Sequence, residues 1–247
     1  MEILIFIFGL VVGSFLNSII YRLQSGESFL FKRSFCPHCK HKLGWQDLIP
    51  LLSFLILRGK CRYCKKPISW QYPLVELTTA ILFLSFFIFH LSSFIFIIAC
   101  FLIIIFVYDL KHYLIPDKII YPAIAITFLY QLFRISDFKL LTNPLLSALL
   151  ASLFFLTIVL VSHGKWMGAG DIKLVFFIGL FLGFPNILVA LFSAFFLGAI
   201  IGVGLIATSK KTLKSEVPFG PFLVVGTFGA MFWGQNIIHW YLNFFNV

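Results

Sequence analysis

Long stretches without a charged residue constrain this chain more than any other feature. Leu77 to Tyr108 and Leu174 to Ser209 contain no Asp, Glu, Lys or Arg, and each is longer than one crossing of a bilayer requires. In a chain that is 61% hydrophobic and only 11% charged, such runs are typical of membrane helices. The sequence therefore predicts an all-α polytopic membrane protein.

Turn signals divide the two long stretches into separate helices. The sequence "HLSS", His90 to Ser93, divides the first stretch. The sequence "GFPN", Gly183 to Asn186, divides the second and leaves a short helix before it. Together with the other apolar runs, this division predicts about eight transmembrane helices. They cover approximately residues 3–21, 77–89, 94–108, 119–133, 140–162, 171–182, 187–209 and 219–245.

The distribution of positive charge supports this division. If the N-terminus is outside, every Lys and Arg except Arg134 and Lys139 falls in an inner loop, as the positive-inside rule requires. A single crossing by residues 174–209 would instead place Lys165 and Lys210 on opposite faces. The charge pattern predicts that both termini are outside. It also explains the net charge of +10 without nucleic-acid binding.

Four cysteines lie in the one sizeable polar segment, residues 22–71, which this topology places in the cytoplasm. Cys36 and Cys39 form one C-x2-C pair, and Cys61 and Cys64 form a second. Two such pairs can close a tetrahedral site around zinc, and four thiolates leave no open position for catalysis. The spacing therefore predicts a small zinc-binding cytoplasmic domain whose metal is structural.

The four cysteines and their neighbours have alternative interpretations. Disulfides or a redox pair are the alternative, although a reducing cytoplasm disfavours them. His38 or His41 could replace a cysteine as a ligand, but both are interpreted as surface residues. Cys100 lies alone in a predicted span and is interpreted as a packing residue.

Two aspartates lie at inner ends of predicted spans. Asp109 ends the third span, and Asp171 opens the sixth, directly after "GAG". Acids at membrane depth are costly and usually functional. Two neighbouring carboxylates share a proton, so that one can activate water while the other donates to a carbonyl. The spacing alone favours two interpretations equally. One is a catalytic pair of aspartates, and the other is two unrelated acids at the membrane interface, one of them stabilised at a helix N-terminus.

The residues around these aspartates add detail. Gly168 and Gly170 permit a sharp turn or a close backbone approach. Lys111 and Lys173 each follow an aspartate by two positions. Because positions i and i+2 of a helix do not face each other, we expect these lysines to reach lipid phosphates rather than the aspartates.

Five motifs, in order along the chain, resemble one known family. They are "GSFLNSIIYRL", the paired "CPHC" and "CRYC" with "ISWQYPLVEL", "YDLKHYLIPD", "GAGDIKL" and "PFGPFL". Together they are similar to the bacterial type IV prepilin peptidases, membrane aspartic proteases with a GxGD motif. The resemblance implies that Asp109 and Asp171 are the catalytic pair. It also implies that the four cysteines match the cytoplasmic domain of the bifunctional members.

The family resemblance further implies substrate, cofactor and location. Its members cleave the leader of prepilins or pseudopilins at the cytoplasmic face of the bacterial inner membrane. They then methylate the new N-terminus with S-adenosylmethionine. Because such leaders are basic, the cytoplasmic acids are candidates to bind them, each with an alternative as a salt-bridge partner. Candidate substrate contacts are Glu76, Asp117, Gly168, Gly170 and Lys173, and further acids are Asp47 and Glu27.

The sequence thus predicts a first transmembrane helix over residues 1–21, a zinc-binding domain over 22–71 and a protease domain over 72–247. Two other functions are weighed against the bifunctional enzyme. One is a leader peptidase without methyltransferase activity. The other is a zinc-stabilised membrane scaffold or transporter without hydrolysis, which the near-absence of acids away from the cytoplasmic side disfavours.

Overall fold

The computed structural model describes residues 1–25, 34–134, 138–207 and 217–244, and within them regular structure is helical apart from two isolated β-bridges. Two short elements, a 3-10 turn at Trp45–Asp47 and the helix α2, lie between the cysteine pairs. The helices are α1 Glu2–Ser25, α2 Leu52–Ile56, α3 Gln71–Ile88, α4 Phe94–His112, α5 Asp117–Arg134, α6 Phe138–Ser162, α7 Ala169–Leu182, α8 Asn186–Ala207 and α9 Gly220–Phe244.

The eight long helices coincide with the eight predicted spans, so the all-α multi-pass class is confirmed for the described residues. Six of them, α1, α3, α4, α6, α8 and α9, are long and apolar enough to cross a membrane. The other two differ for simple reasons. Helix α5 carries Asp117, Lys118 and Arg134 at its ends. Helix α7 has 14 residues, or about 21 Å, less than the thickness of a hydrocarbon core.

For two helices, α3 and α4, the predicted span stopped short of the observed helix because a buried acid interrupts the charge-free run. Helix α3 begins at Gln71 rather than Leu77 and includes Glu76, which is 6% exposed. Helix α4 continues through Asp109 to His112. A search for charge-free runs stops at such residues, although a partner for the carboxylate lets the helix continue.

The chain divides into two compact units, Met1–Ile104 and Ile105–Val247. In the first, α1 and α3 pack closely through glycines. A Cβ atom on Gly9 would lie 2.6 Å from the Cα atom of Ala80, and one on Gly13 would lie 2.6 Å from that of Glu76. Small residues at such contacts let two membrane helices approach. The first glycine-containing motif of the sequence therefore has a packing role.

In the second unit, the short helix α7 is surrounded by other helices. It packs against α6 and also contacts α5, α8 and α9. Leu174, Phe177 and Ile178 are at most 1% exposed, and a Cβ atom on Gly179 would lie 2.7 Å from the Cα atom of Ala148. Helix α7 is thus a central helix whose apolar side chains contact protein.

The predicted turn "GFPN" does separate α7 from α8. Gly183 ends α7 with a φ of 66°, a conformation that favours glycine. The side chain of Asn143 on α6 binds the backbone of Phe184 twice, donating to its carbonyl at 3.2 Å and accepting from its N–H at 2.8 Å. This turn fixes the length of α7 and so the position of its N-terminus.

The domain boundaries at residues 21, 71 and 247 stay a prediction. Glu27, a candidate for leader binding, lies outside the described residues.

Candidate active site and metal centre

The four predicted cysteine ligands converge in the first unit. The sulfur atoms of Cys36, Cys39, Cys61 and Cys64 all lie within 4.8 Å of one another, and the thiols are free of disulfide bonds. The Sγ atoms of Cys36 and Cys64 are 3.9 Å apart. In a tetrahedral zinc site with Zn–S bonds of about 2.3 Å, sulfur atoms are about 3.8 Å apart. The donor set and its spacing therefore fit zinc.

Each cysteine pair sits in the same local turn. The N–H of Lys40 donates to the carbonyl of Cys36 at 2.9 Å, and the N–H of Lys65 donates to that of Cys61 at 3.0 Å. Both lysines have a positive φ, 57° and 58°. An isolated β-bridge closes each turn, Phe35 with Lys42 and Lys60 with Pro67. The two C-x2-C pairs thus form equivalent knuckles, the arrangement that lets them share one ion.

Backbone donors stabilise a thiolate at Cys36. Burial raises the pKa of this thiol, but hydrogen bonds from the backbone of Cys39 and His38 outweigh it and lower the pKa to about 7. Cys39 shows the opposite direction. The backbone of His41 lowers its pKa, whereas burial and the neighbouring sulfurs of Cys36 and Cys64 raise it to about 11. A thiolate at Cys36 thus opposes a second thiolate at Cys39, and a cation among the four sulfurs would relieve this repulsion.

Asp47 connects the segment between the knuckles to the second knuckle. Its carboxylate accepts from Nε of Arg62 at 2.7 Å, from the hydroxyl of Tyr63 at 3.2 Å and from the N–H of Gly44 at 3.1 Å. Burial raises the pKa of Asp47, but these donors hold it below its ordinary value. The salt-bridge alternative for this acid is thereby confirmed.

The two predicted catalytic aspartates both lie in the second unit and are both buried. Asp109 is 4% exposed and Asp171 is 8% exposed. Their carboxylates lie within electrostatic range of each other. Residues 62 positions apart in the sequence are thus brought together in the fold.

Asp171 occupies the third position of α7, and the start of that helix holds its carboxylate. The N–H of Gly168, directly before the helix, donates to Oδ2 of Asp171 at 3.2 Å. The glycines of the motif have different environments. A Cβ atom on Gly170 would contact Ile115 at 3.2 Å, whereas one on Gly168 would lie 3.7 Å from Oδ2 of Asp171. The position of Asp171 at a helix start, expected from the sequence, is confirmed.

Asp109 lies against the start of a different helix, α9. The backbone N–H of Gly220 donates to the Asp109 carboxylate, and a Cβ atom at Gly220 would overlap its Oδ2. A helix N-terminus carries partial positive charge and unpaired N–H groups, which stabilise a carboxylate. Two helix N-termini therefore face two carboxylates in this unit, and both contacts are made at a glycine.

Lys173 has a partner that the sequence did not identify. Its Nζ donates to Oδ1 of Asp117, the first residue of α5, at 2.6 Å and lies 5.0 Å from the ring centroid of Tyr121. Lys173 thus does not pair with Asp171, as expected for positions i and i+2. The salt-bridge alternative for Asp117 is confirmed, and the expectation that Lys173 reaches lipid phosphates is corrected, because its ammonium group binds this acid.

Glu76 belongs to the first unit and serves a structural contact there. Its Oε2 accepts a hydrogen bond from the backbone N–H of Leu51 at 2.9 Å. Nearby, Nδ2 of Asn17 donates to the carbonyl of Tyr72 at 3.0 Å. Glu76 thus has a backbone partner rather than a Lys or Arg.

Sequence reasoning missed Gly220 as a site residue, and it considered Asp47 as a contact for the leader but not as a link within the cysteine-containing segment. The signal for Gly220 was the motif "PFGPFL", in which a glycine directly precedes a proline at the start of an apolar run. For Asp47, the signal was the near-repetition of "CPHCKHK" and "CRYCKKP", because an acid between two basic knuckles has partners available.

Comparisons with known proteins agree with this geometry. The family model for the bacterial peptidase A24 N-terminal domain matches residues 7–90, and that for the type IV leader peptidase family matches residues 96–203. The first match includes all four clustered cysteines and the second includes Asp109 and Asp171. No solved structure matches the chain significantly.

Several curated relatives are similar over nearly the whole chain. One from Bacillus subtilis strain 168 is 36% identical over 97% of this chain and 97% of its own length. One from Legionella pneumophila is 35% identical over 99% and 95%, and one from Aeromonas hydrophila is 32% identical over 98% and 94%. All three carry the name prepilin leader peptidase/N-methyltransferase. With two converging carboxylates and a four-cysteine cluster in place, this chain belongs to the type IV leader peptidase family.

Proposed function

We propose that this protein removes the leader peptide of prepilins or pseudopilins and then methylates the new N-terminal residue. The observation that carries the proposal is the pair of buried carboxylates, Asp109 and Asp171, each held at a helix N-terminus by a glycine N–H. The names of the full-length relatives support both activities.

In the proposed cleavage, the two aspartates share one proton. The ionised carboxylate takes a proton from water, and the water oxygen forms a bond to the scissile carbonyl carbon. The protonated carboxyl donates its proton to the carbonyl oxygen. The tetrahedral intermediate then breaks its C–N bond. The carboxyl that took a proton from water gives it to the leaving amine nitrogen, and a hydroxyl of the intermediate returns its proton to the other carboxylate as the C=O bond re-forms, which restores one proton to the pair. The N–H groups of Gly168 and Gly220 hold the carboxylates during these transfers.

The metal and the methyl donor have separate places in this proposal. Cys36, Cys39, Cys61 and Cys64 would hold zinc, whose role is to fix the fold of their segment. S-adenosylmethionine would supply the methyl group. The support for methylation is the similarity to the named relatives. The described residues include no glycine-rich loop typical of binding this donor.

We further propose how the chain is oriented and where the leader binds. The positive-inside pattern supports a bacterial inner-membrane location, with both termini outside and the metal domain and aspartates at the cytoplasmic face. Asp117 is the proposed contact for the basic leader, because its side chain is 60% exposed although Oδ1 binds Lys173. Gly168, Gly170 and Lys173, which flank Asp171 in the sequence, and Glu76 of the first unit stay proposed contacts of the substrate.

The decisive experiment is a cleavage and methylation assay with purified protein. A prepilin is incubated with and without S-adenosylmethionine, and the products are weighed by mass spectrometry. We expect loss of the leader in both samples and one added methyl group only with the donor. Asp109→Asn and Asp171→Asn should lose cleavage yet methylate a pre-cleaved pilin.

Each outcome of this assay decides between functions. Cleavage without methylation would identify a leader peptidase alone. An intact prepilin in the presence of folded, zinc-loaded protein would contradict the proposed peptidase and favour the scaffold alternative.

A further inference from the structure

The segment between the two cysteine pairs exposes large apolar side chains. Residues 44–59, here named the inter-pair segment, contain the short helix α2. On α2, Leu52, Leu55 and Ile56 occupy positions i, i+3 and i+4 and so share a face. Leu55 is 68% exposed and Ile56 is 74% exposed. Before α2, the segment also exposes Trp45, Leu48 and Ile49.

The opposite side of α2 contacts aromatic and glycine residues that follow it in the sequence. The ring of Phe54 lies 5.0 Å from that of Trp70, between centroids. A Cβ atom on Gly59 would contact the Phe54 ring at 3.2 Å. Helix α2 therefore directs the half-buried Phe54 toward protein and presents aliphatic side chains outward, the reverse of a water-facing helix.

A contact with α3 places the start of α2 beside the first turns of a candidate membrane span. Helix α3 is a candidate span that begins at Gln71. The N–H of Leu51, directly before α2, donates to Oε2 of Glu76 on α3 at 2.9 Å. Glu76 lies five residues into α3, about 7.5 Å along its axis. Helix α2 therefore starts beside the first two turns of a span rather than beyond its end.

The surface of α3 at that level is itself apolar and exposed. Leu74, Leu77 and Ile81 recur at helical spacing on one face of α3 and are each at least 38% exposed. In a membrane span, such a stripe faces lipid. Leu74 and Glu76 differ by only about 3 Å along the axis. The exposed face of α2 thus lies at the same level along the α3 axis as a surface that would face lipid.

Basic residues flank the apolar face. Arg58 and Lys60, which closely follow α2, are both exposed. Basic residues next to apolar ones at a membrane boundary bind anionic headgroups while the apolar side chains enter the acyl region. The charge and the apolar face therefore fit the same partner, an anionic lipid surface.

We propose that the inter-pair segment is an interfacial membrane anchor. The side chains of Leu52, Leu55 and Ile56 insert into the lipid leaflet beside the N-terminal turns of α3. Arg58 and Lys60 bind the anionic headgroups of that leaflet. The anchor holds the proposed zinc-binding domain, residues 22–71, against the membrane surface. It requires no substrate and is independent of the proposed peptidase activity.

Site-specific photocrosslinking tests this proposal. The photoreactive residue p-benzoylphenylalanine replaces Leu55 in the full chain, loaded with zinc and reconstituted in vesicles of phosphatidylglycerol and phosphatidylethanolamine. A reference variant carries it at Ile81, in the lipid-facing stripe, and a control variant carries it at Lys66, in the second knuckle. After irradiation, mass spectrometry measures phospholipid adducts on each labelled peptide. We expect adducts at Leu55 and Ile81, and none above background at Lys66.

Two results would overturn the anchor. One is the absence of a lipid adduct at Leu55 while Ile81 is labelled. The other result appears when a prepilin is added: Leu55 forms an adduct with the prepilin, and the lipid adduct is lost. This result would identify the face as a docking site for an apolar protein segment. Zinc content verifies the fold of each variant. If the Leu55 variant loses zinc, the label is placed at Ile56 and Leu52, where the same results apply.

Discussion

The carboxylate of Asp109 lies directly against the backbone of Gly220, which leaves no room for a side chain at that position. The contact joins the last turn of α4 to the first residue of α9. Because the Gly220 N–H donates to the carboxylate, it sets the direction in which the free oxygen of Asp109 can point. In the proposed mechanism, this direction determines whether Asp109 and Asp171 can act on one water.

Gly220→Ala should lower kcat strongly without unfolding the protein. The added methyl group would overlap Oδ2 of Asp109, and a shift of about 1 Å in a reacting group can cost about 10²-fold in rate. Steady-state cleavage of a prepilin measures the effect. Gly229→Ala is the matched control on the same helix, because a Cβ atom there has nothing within 4 Å. Equal activity of the two variants would show that Gly220 does not position Asp109.

Substitutions in the ion pair between Asp117 and Lys173 distinguish leader binding by Asp117 from a structural role of the pair. If Asp117 binds the basic leader, Asp117→Asn should raise KM several-fold and leave kcat unchanged. Lys173→Met should leave KM unchanged or lower it, because it frees the Asp117 carboxylate from its neutralising partner. The side chains of Lys173 and Asp117 are 33% and 60% exposed, so each variant should lose about 1 kcal/mol of stability or less. The same rise in KM in both variants would contradict leader binding by Asp117.

Removing one thiolate should release the metal. We expect one zinc per chain in the wild type and loss of that zinc in Cys36→Ser and Cys61→Ser, measured by metal analysis of reduced protein. Because the aspartates lie in the other unit, methylation should fall more than cleavage. Cys100→Ser is the control, since Cys100 lies on α4 outside the cluster and should keep its zinc. A metal-free wild type prepared without chelator would disprove the zinc site.

The elements predicted from sequence are those with a local signal. Charge-free runs located the eight long helices, and "GFPN" located the end of α7 because a glycine with positive φ stands there. The four cysteines were predicted as a group because C-x2-C spacing is itself the geometry of a knuckle. Asp171 was placed at a helix start by the glycines before it.

The features that escaped prediction depend on contacts between distant residues. Gly220 meets Asp109 across 111 positions, and no local pattern specifies that approach. Glu76 was left outside the second span because an isolated acid disfavours a membrane helix; its hydrogen bond to Leu51 removes that objection. Helix α2 was missed because five residues carry too little periodicity to be recognised.

The topology predicts which loops are accessible from outside. A cysteine introduced at Ser93, between α3 and α4, should react in intact cells with a membrane-impermeant maleimide. One introduced at Lys165, between α6 and α7, should react only after permeabilisation. The reason is that the positive-inside rule places the first loop outside and the second inside. Labelling of both from outside would contradict the eight-helix orientation.

The aspartate pair should behave as one catalytic unit. Asp109→Asn and Asp171→Asn should each lower kcat by about 10²–10⁴-fold, the usual contribution of acid–base catalysis. The double variant should be little worse, because removing either member already stops the proton transfer. Asparagine keeps the size and polarity of aspartate, so folding and zinc content should be retained. Asp117→Asn serves as the control, since this acid of the same unit is exposed and its loss should leave kcat intact. Losses that simply multiply in the double variant would mean that the two carboxylates act independently, as two interfacial acids would.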